Sequence, residues 1–264
     1  MSVNAMPPKR TRLSKIAIQA LVGLLCLYIR PASGNDTPIG PSLRIRKLPR
    51  TTLWAWERPE DLHAVNPATT AVAYLDQTIL LGPSVIREPR RQPLAYPGNA
   101  TRIAVVRIQA LPGTNFEPDY GPKVVDLLLQ SAERPGIAAL QVDFDATRSQ
   151  RDFYTKVLRE LRSRMPPDLP LSITALASWC SYDDWIAGLP VDEAVPMFFR
   201  MEPDRRRAPP DAPQFLVREP LCKGSVGVSM HEIWPEGVTT KRVYVFADRG
   251  WGEDLALLTE RKLP

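Results

Sequence analysis

The chain has 264 residues, 44% of them hydrophobic and 24% charged, which excludes a disordered chain and allows one sizeable core. Its 28 prolines lie scattered between apolar runs, as short rigid connections require, and form no collagen or polyproline repeat. The formal charge of +5 sits at the start of the chain. Lys9, Arg10, Arg12, Lys15 and Arg30 precede Asn35, and the remainder balances at 29 basic and 29 acidic residues, without the basic footprint of a nucleic-acid-binding protein.

Those first basic residues are followed by an uncharged apolar run from Ile16 to Ile29 and then by Arg30, Pro31, Ala32, Ser33 and Gly34. Basic end, apolar core and small residues in that order read as a secretory signal over residues 1–34. The run is shorter than the roughly 20 residues that cross a bilayer comfortably, which favours cleavage near Gly34. The alternative is an uncleaved signal anchor, the chain's one membrane contact, with its domain still outside the cytoplasm. Either way the destination is the periplasm or the exterior. Residues 35–50, with no helical or strand period, read as a tether to a domain over 51–264.

Eight β-rich runs follow: Thr51 to Trp56, Thr70 to Leu81, Arg102 to Leu111, Ile137 to Asp145, Leu171 to Trp179, Glu193 to Met201, Ser225 to His231 and Arg242 to Ala247. Helical period occupies Pro122 to Glu133, Arg151 to Met165, Tyr182 to Leu189 and Glu253 to Lys262. Strand and helix alternate in the second half, whereas four prolines between Leu81 and Thr101 forbid a crossover helix there. The expected fold is α/β, a (β/α)8-like TIM barrel irregular in its first βα units, with an open doubly wound sheet as the alternative. No glycine-rich nucleotide fingerprint follows any strand, and no cofactor is implied.

Cys26 lies in the leader, so Cys180 and Cys222 are the remaining pair, expected to form a disulfide in an oxidising compartment. His63 and His231, the two histidines, stand in unrelated segments and predict no metal site. No G-x-S-x-G elbow presents a nucleophilic serine.

The densest chemical signal is Gln141-Val142-Asp143-Phe144-Asp145, where alternation places Gln141, Asp143 and Asp145 on one face. Two acids at that spacing at a barrel mouth suit general acid/base work. The competing reading is structural, a helix cap plus an aspartate paired to Arg107 or Arg200. Acidic, polar and aromatic residues recur at other strand ends: Trp56 and Glu57, Gln109, Trp179, Arg200, His231 and Glu232, Asp248 and Trp251. Aromatic faces stack on sugars and carboxylates bond hydroxyls or move protons, so carbohydrate is the expected ligand. Asp143, Asp145 and Glu232 are the catalytic candidates, and the others would contact substrate. A non-catalytic carbohydrate- or envelope-binding barrel is the alternative to an exported glycoside-hydrolase-like enzyme.

The segments Leu53 to Arg58, Gln141 to Ala146, Leu171 to Leu176 with Trp179, Val195 to Met201 and Arg242 to Phe246 resemble a bacterial family known as domain of unknown function 3142. That name implies no activity. More distantly, Asp143 and Asp145 are similar to the strand-end D-x-D element of chitinase-type glycoside hydrolase barrels, and Pro196-Met197 to a later strand of those enzymes. The chitinase element ends in a glutamate acid where this chain has Thr147, so a hydrolytic barrel would need Asp145 or Glu232 as its proton donor.

Overall fold

A computed structural model describes residues 42–201, 216–235 and 240–261, all within one compact unit spanning 39–264. The predicted leader lies outside the described residues. Eleven strands are described, β1 (Thr51–Ala55), β2 (Glu60–Asp61), β3 (Thr70–Leu81), β4 (Val85–Pro89), β5 (Leu94–Ala95), β6 (Thr101–Ala110), β7 (Ile137–Asp143), β8 (Leu171–Leu176), β9 (Glu193–Met197), β10 (Ser225–Ser229) and β11 (Arg242–Phe246). The helices are α1 (Ser42–Ile45), α2 (Tyr120–Ala132), α3 (Arg151–Arg164), α4 (Ala177–Ser181) and α5 (Trp251–Glu260).

Parallel pairing runs β1-β11-β10-β9-β8-β7-β6-β3, and β3 pairs back to β1, which closes an eight-stranded parallel barrel. The expected fold is therefore found. Its first units are irregular, as the prolines require. In place of a crossover helix, β3 turns into antiparallel β4, and a two-stranded sheet of β2 and β5 lies alongside. A bulge at Asp76 points two successive residues outward, where the Asp76 carboxylate meets Ser131 and Arg134 while Gln77 bonds Ser131 and the Leu127 carbonyl.

Two apolar clusters cover the outer face of the barrel wall, and a third fills its bore. Val124, Val125 and Leu128 of α2 and Tyr154, Val157, Leu158 and Leu161 of α3 pack on outward residues such as Val106, Leu140 and Val142. Inside lie Trp54, Ala71, Ala73, Ile103, Val105, Ala139, Val195 and Tyr244. Gly227 faces this interior because a Cβ there would lie 2.5 Å from the Met197 sulfur.

The bore is not wholly apolar. Glu193 accepts from Arg242 Nη2 (2.5 Å), Tyr244 Oη (2.6 Å) and Ser172 Oγ (3.1 Å), and Gln141 bridges Ser172 to the Trp54 indole N–H at 2.8 Å. Burial and Glu193 together push the Tyr244 phenol well above its ordinary pKa. All of these groups are buried, and each is paired, as a low-dielectric interior demands.

Three sequence readings need correction. Part of the expected tether is packed structure: Ile45 and Leu48 are buried against the bore, and Arg44 bonds Asp192 at 3.0 Å. Strand β8 ends at Leu176, where the chain turns into α4. The expected helix from Tyr182 to Leu189 is a series of turns, its apolar Ile186 and Leu189 buried without helical backbone and Gly188 at φ 74°.

Candidate active site

Parallel register decides which side chains meet at the mouth formed by the strand C-termini. Arg107 on β6 stands directly opposite Asp143 on β7, and Arg107 Nη1 donates to Asp143 Oδ2 at 2.9 Å. Asp143 Oδ1 accepts from Thr174 Oγ1 of β8 at 2.7 Å. Both Asp143 oxygens are thereby engaged by partners on neighbouring strands. Beside them, the Arg107 guanidinium lies 5.3 Å from the Trp56 ring, which stacks on Trp54 at 4.9 Å. Trp54 in turn meets Phe246, and Phe246 meets Phe199. An aromatic floor thus continues from the end of β1 to that of β11 and on to the residues after β9.

One side of the mouth is raised. Strands β3 and β6 stay paired up to Leu81 and Ala110, three residues beyond Arg107, or about 10 Å at the usual strand rise. Gln109 lies exposed on this lip, on the same face as Arg107. Glu57, expected to contact substrate, instead accepts the backbone N–H groups of Arg91 (2.9 Å) and Gln92 (3.1 Å) and braces the link after β4.

Asp145 is exposed, two residues beyond Asp143. It lines a cleft of about 670 Å³ with Thr147, Arg148, Arg151, Leu176, Trp179, Tyr182 and Asp183. Behind the cleft, Tyr154 is fully buried, its phenol pushed well above the ordinary value by burial and then by Asp143 and Asp145. Arg151 pairs with Asp183 and lies 5.0 Å from the Trp185 ring. Thr147, standing where the chitinase element has its acid, is a cap: its N–H donates to Gln150 Oε1 at 2.8 Å at the entry to α3.

The remaining candidates divide. Arg200 and Asp248 meet at 3.2 Å, and Ser229 Oγ donates to the second oxygen of Asp248. Glu232 accepts the Arg200 backbone N–H on both oxygens, each at 3.1 Å. His231 Nε2 lies 3.0 Å from Asp254 of α5, which ties it to the outer helix. Two tryptophans are corrections. Trp179 is buried with its ring edge-on to Trp185 because β8 stops short of it, leaving only an edge at the cleft. Trp251 is fully buried, its backbone N–H on Glu60 and its indole N–H on the Trp54 carbonyl, and presents no face to a ligand. Arg107 and Thr174 were absent from the predicted substrate contacts. Alternation along β6 and β8 places both on the inward face, so the signal was present for each.

Cys180 and Cys222 form the expected disulfide, with Cα atoms 5.9 Å apart. Among the described residues no cluster of three metal-ligating side chains occurs, and no helix is long and apolar enough to cross a membrane.

Residues 100–197 match the family model described as Domain of unknown function (DUF3142), the family that the sequence resembles, while the resembling segments Leu53 to Arg58 and Arg242 to Phe246 lie outside the match. The matched span covers β6 to β9, with Arg107, Asp143 and Thr174, and leaves Glu232 and Asp248 outside. Among solved structures the chain is similar to the spore cortex-lytic enzyme SleL of Bacillus cereus, at 20% identity over 57% of this chain and 41% of that one, TM-score 0.40. It is also similar to the chitinase domain of the spore coat protein CotE from Clostridium difficile, at 14% identity over 60% and 52%, TM-score 0.35. The chain thus spans about half the length of these relatives. No curated protein matches it.

Proposed function

We propose that this glycoside-hydrolase-like barrel is exported and holds an envelope or environmental polysaccharide at its mouth without cutting it. One observation carries the reading: Asp143 and Glu232 each have both carboxylate oxygens on fixed partners, and the position that would supply a proton donor is the capping Thr147. The partly buried Trp56, stacked on Trp54 with Arg107 against its ring, sets an aromatic ring and guanidinium donors side by side, which suits a sugar. Export is supported by the Cys180–Cys222 disulfide, since such bonds persist in oxidising compartments.

A second reading is hydrolysis, with Asp145 as acid and Asp143 as its electrostatic partner or base. The exposure of Asp145 in the 670 Å³ cleft favours it. The test is a panel of chitin, peptidoglycan and exopolysaccharide offered to the wild type, Trp56→Ala and Asp145→Asn. The expected outcome is binding without glycan release, weakened about 2- to 10-fold by Trp56→Ala, from the usual worth of one aromatic contact. Release by wild type that Asp145→Asn abolishes would replace the binding reading with the hydrolytic one.

A further inference from the structure

Among the described residues Arg200 is the one non-glycine with left-handed backbone, at φ 52°. A residue with a Cβ is disfavoured there and persists only where its surroundings hold it. The hold is visible. Its N–H donates to both Glu232 oxygens, and its Nη2 donates to Asp248 Oδ1 at 3.2 Å.

Both acids are themselves fixed. Asp248 takes the Ser229 hydroxyl on its other oxygen, and its carbonyl accepts from Arg58 Nη1 at 3.1 Å. The Glu232 carbonyl accepts from Arg261, each nitrogen at 3.3 Å, and its N–H reaches the Ser229 carbonyl. The preceding Phe199 packs on Phe246 at the floor of the mouth. The connections after β9, β10 and β11 therefore converge on one arginine, whose side chain is still 75% exposed.

We infer that Glu232 is a positioning residue and Arg200 a specificity-determining one. Glu232 clamps the strained Arg200 amide, and the backbone so held carries the guanidinium to the end of β11, where it donates to acceptor oxygens of the polysaccharide. The inference rests on the glycan-binding reading for its ligand. The clamp stands on geometry alone.

The experiment compares the purified wild-type protein with Glu232→Gln, Glu232→Ala, Arg200→Gly and the Arg200→Gly, Glu232→Ala double variant, by thermal unfolding and by titration with whichever polysaccharide of the panel binds. Glu232→Ala lowers Tm by about 3 °C, the shift expected for one hydrogen-bonding group in a domain of this size. Glu232→Gln, whose amide oxygen still accepts, lowers it by less than half as much. Arg200→Gly leaves Tm unchanged or higher, because glycine adopts this φ without strain, and in its background Glu232→Ala has a larger effect, because no relieved strain offsets the lost hydrogen bond. Glycan affinity falls about tenfold in Arg200→Gly and in Glu232→Ala, a charged hydrogen bond's worth, and stays near wild type in Glu232→Gln. Equal damage from Glu232→Gln and Glu232→Ala, or no thermal coupling between positions 200 and 232, overturns the clamp. Coupling with unchanged affinity in Arg200→Gly overturns the specificity role. If the wild type binds no polysaccharide the ligand reading fails, and the thermal cycle still decides the clamp.

Discussion

Reduction of the Cys180–Cys222 disulfide should destabilise the barrel by about 4 kcal/mol. The two cysteines are 42 residues apart in sequence, and closing a loop of that length removes roughly 13 cal/mol/K from the unfolded chain. At 25 °C that entropy corresponds to about 4 kcal/mol, or a Tm lower by roughly 8–16 °C for a domain of this size. Both sulfurs are buried, so a Cys180→Ala, Cys222→Ala variant would add a packing loss to the cross-link term. Reduced wild type keeps the sulfur volume and isolates the cross-link. Urea unfolding followed by tryptophan fluorescence, with and without reductant, gives the difference directly. A loss below about 1 kcal/mol would refute the argument that the cross-link acts on the unfolded chain.

Glu193→Ala should cost about 3–5 kcal/mol in urea unfolding, because it leaves the Arg242 guanidinium buried without its ion partner and the Tyr244 hydroxyl without its acceptor. A loss under 1 kcal/mol would mean that the bore relaxes to admit water. Tyr74 supplies a pH signature: burial, then Asp76, pushes its phenol up to about 12 from the ordinary 10.0. The unfolded state releases that proton first, so the Tyr74 contribution leaves stability level below pH 10 and reduces it as pH rises from 10 to 12. Tyr74→Phe should flatten part of that decline, and a phenolate absorbance titration showing every tyrosine ionising near 10 would contradict it.

The alternation of strand and covering helix was legible in the sequence because it rests on period, whereas closure rests on the pairing of β1 with β3. Runs such as Ile137 to Asp145 and Arg242 to Ala247 alternate two buried faces, and the amphipathic Arg151 to Met165 can only cover a sheet. The failures lie where local pattern and tertiary burial diverge. Trp179 continues an apolar run as a strand would, yet the chain turns into α4 three residues earlier, which carries it into the outer layer. Tyr182 to Leu189 has helical spacing, but Ile186 and Leu189 are buried through turns.

Residue types at the strand ends were legible in the same way, whereas their engagements were not. Asp143 could be read as an acid for chemistry or as the partner of Arg107, and only the register of β6 on β7 makes them opposite. Glu232 presents the sharper case. Its position after β10 gives no hint that its partner is a backbone N–H on the β9 side, because that contact depends on the left-handed turn at Arg200, which no propensity rule assigns to arginine. The hydrogen bonds that fix Asp143 and Glu232 come from neighbouring parts of the same wall: Arg107 of β6, Thr174 of β8 and the Arg200 amide after β9. Holding the mouth's shape and donating a proton are competing uses of one carboxylate, since oxygens already occupied by donors of the wall are not turned toward a ligand. A mouth whose carboxylates serve the first use keeps a defined surface on which the proposed sugar would dock.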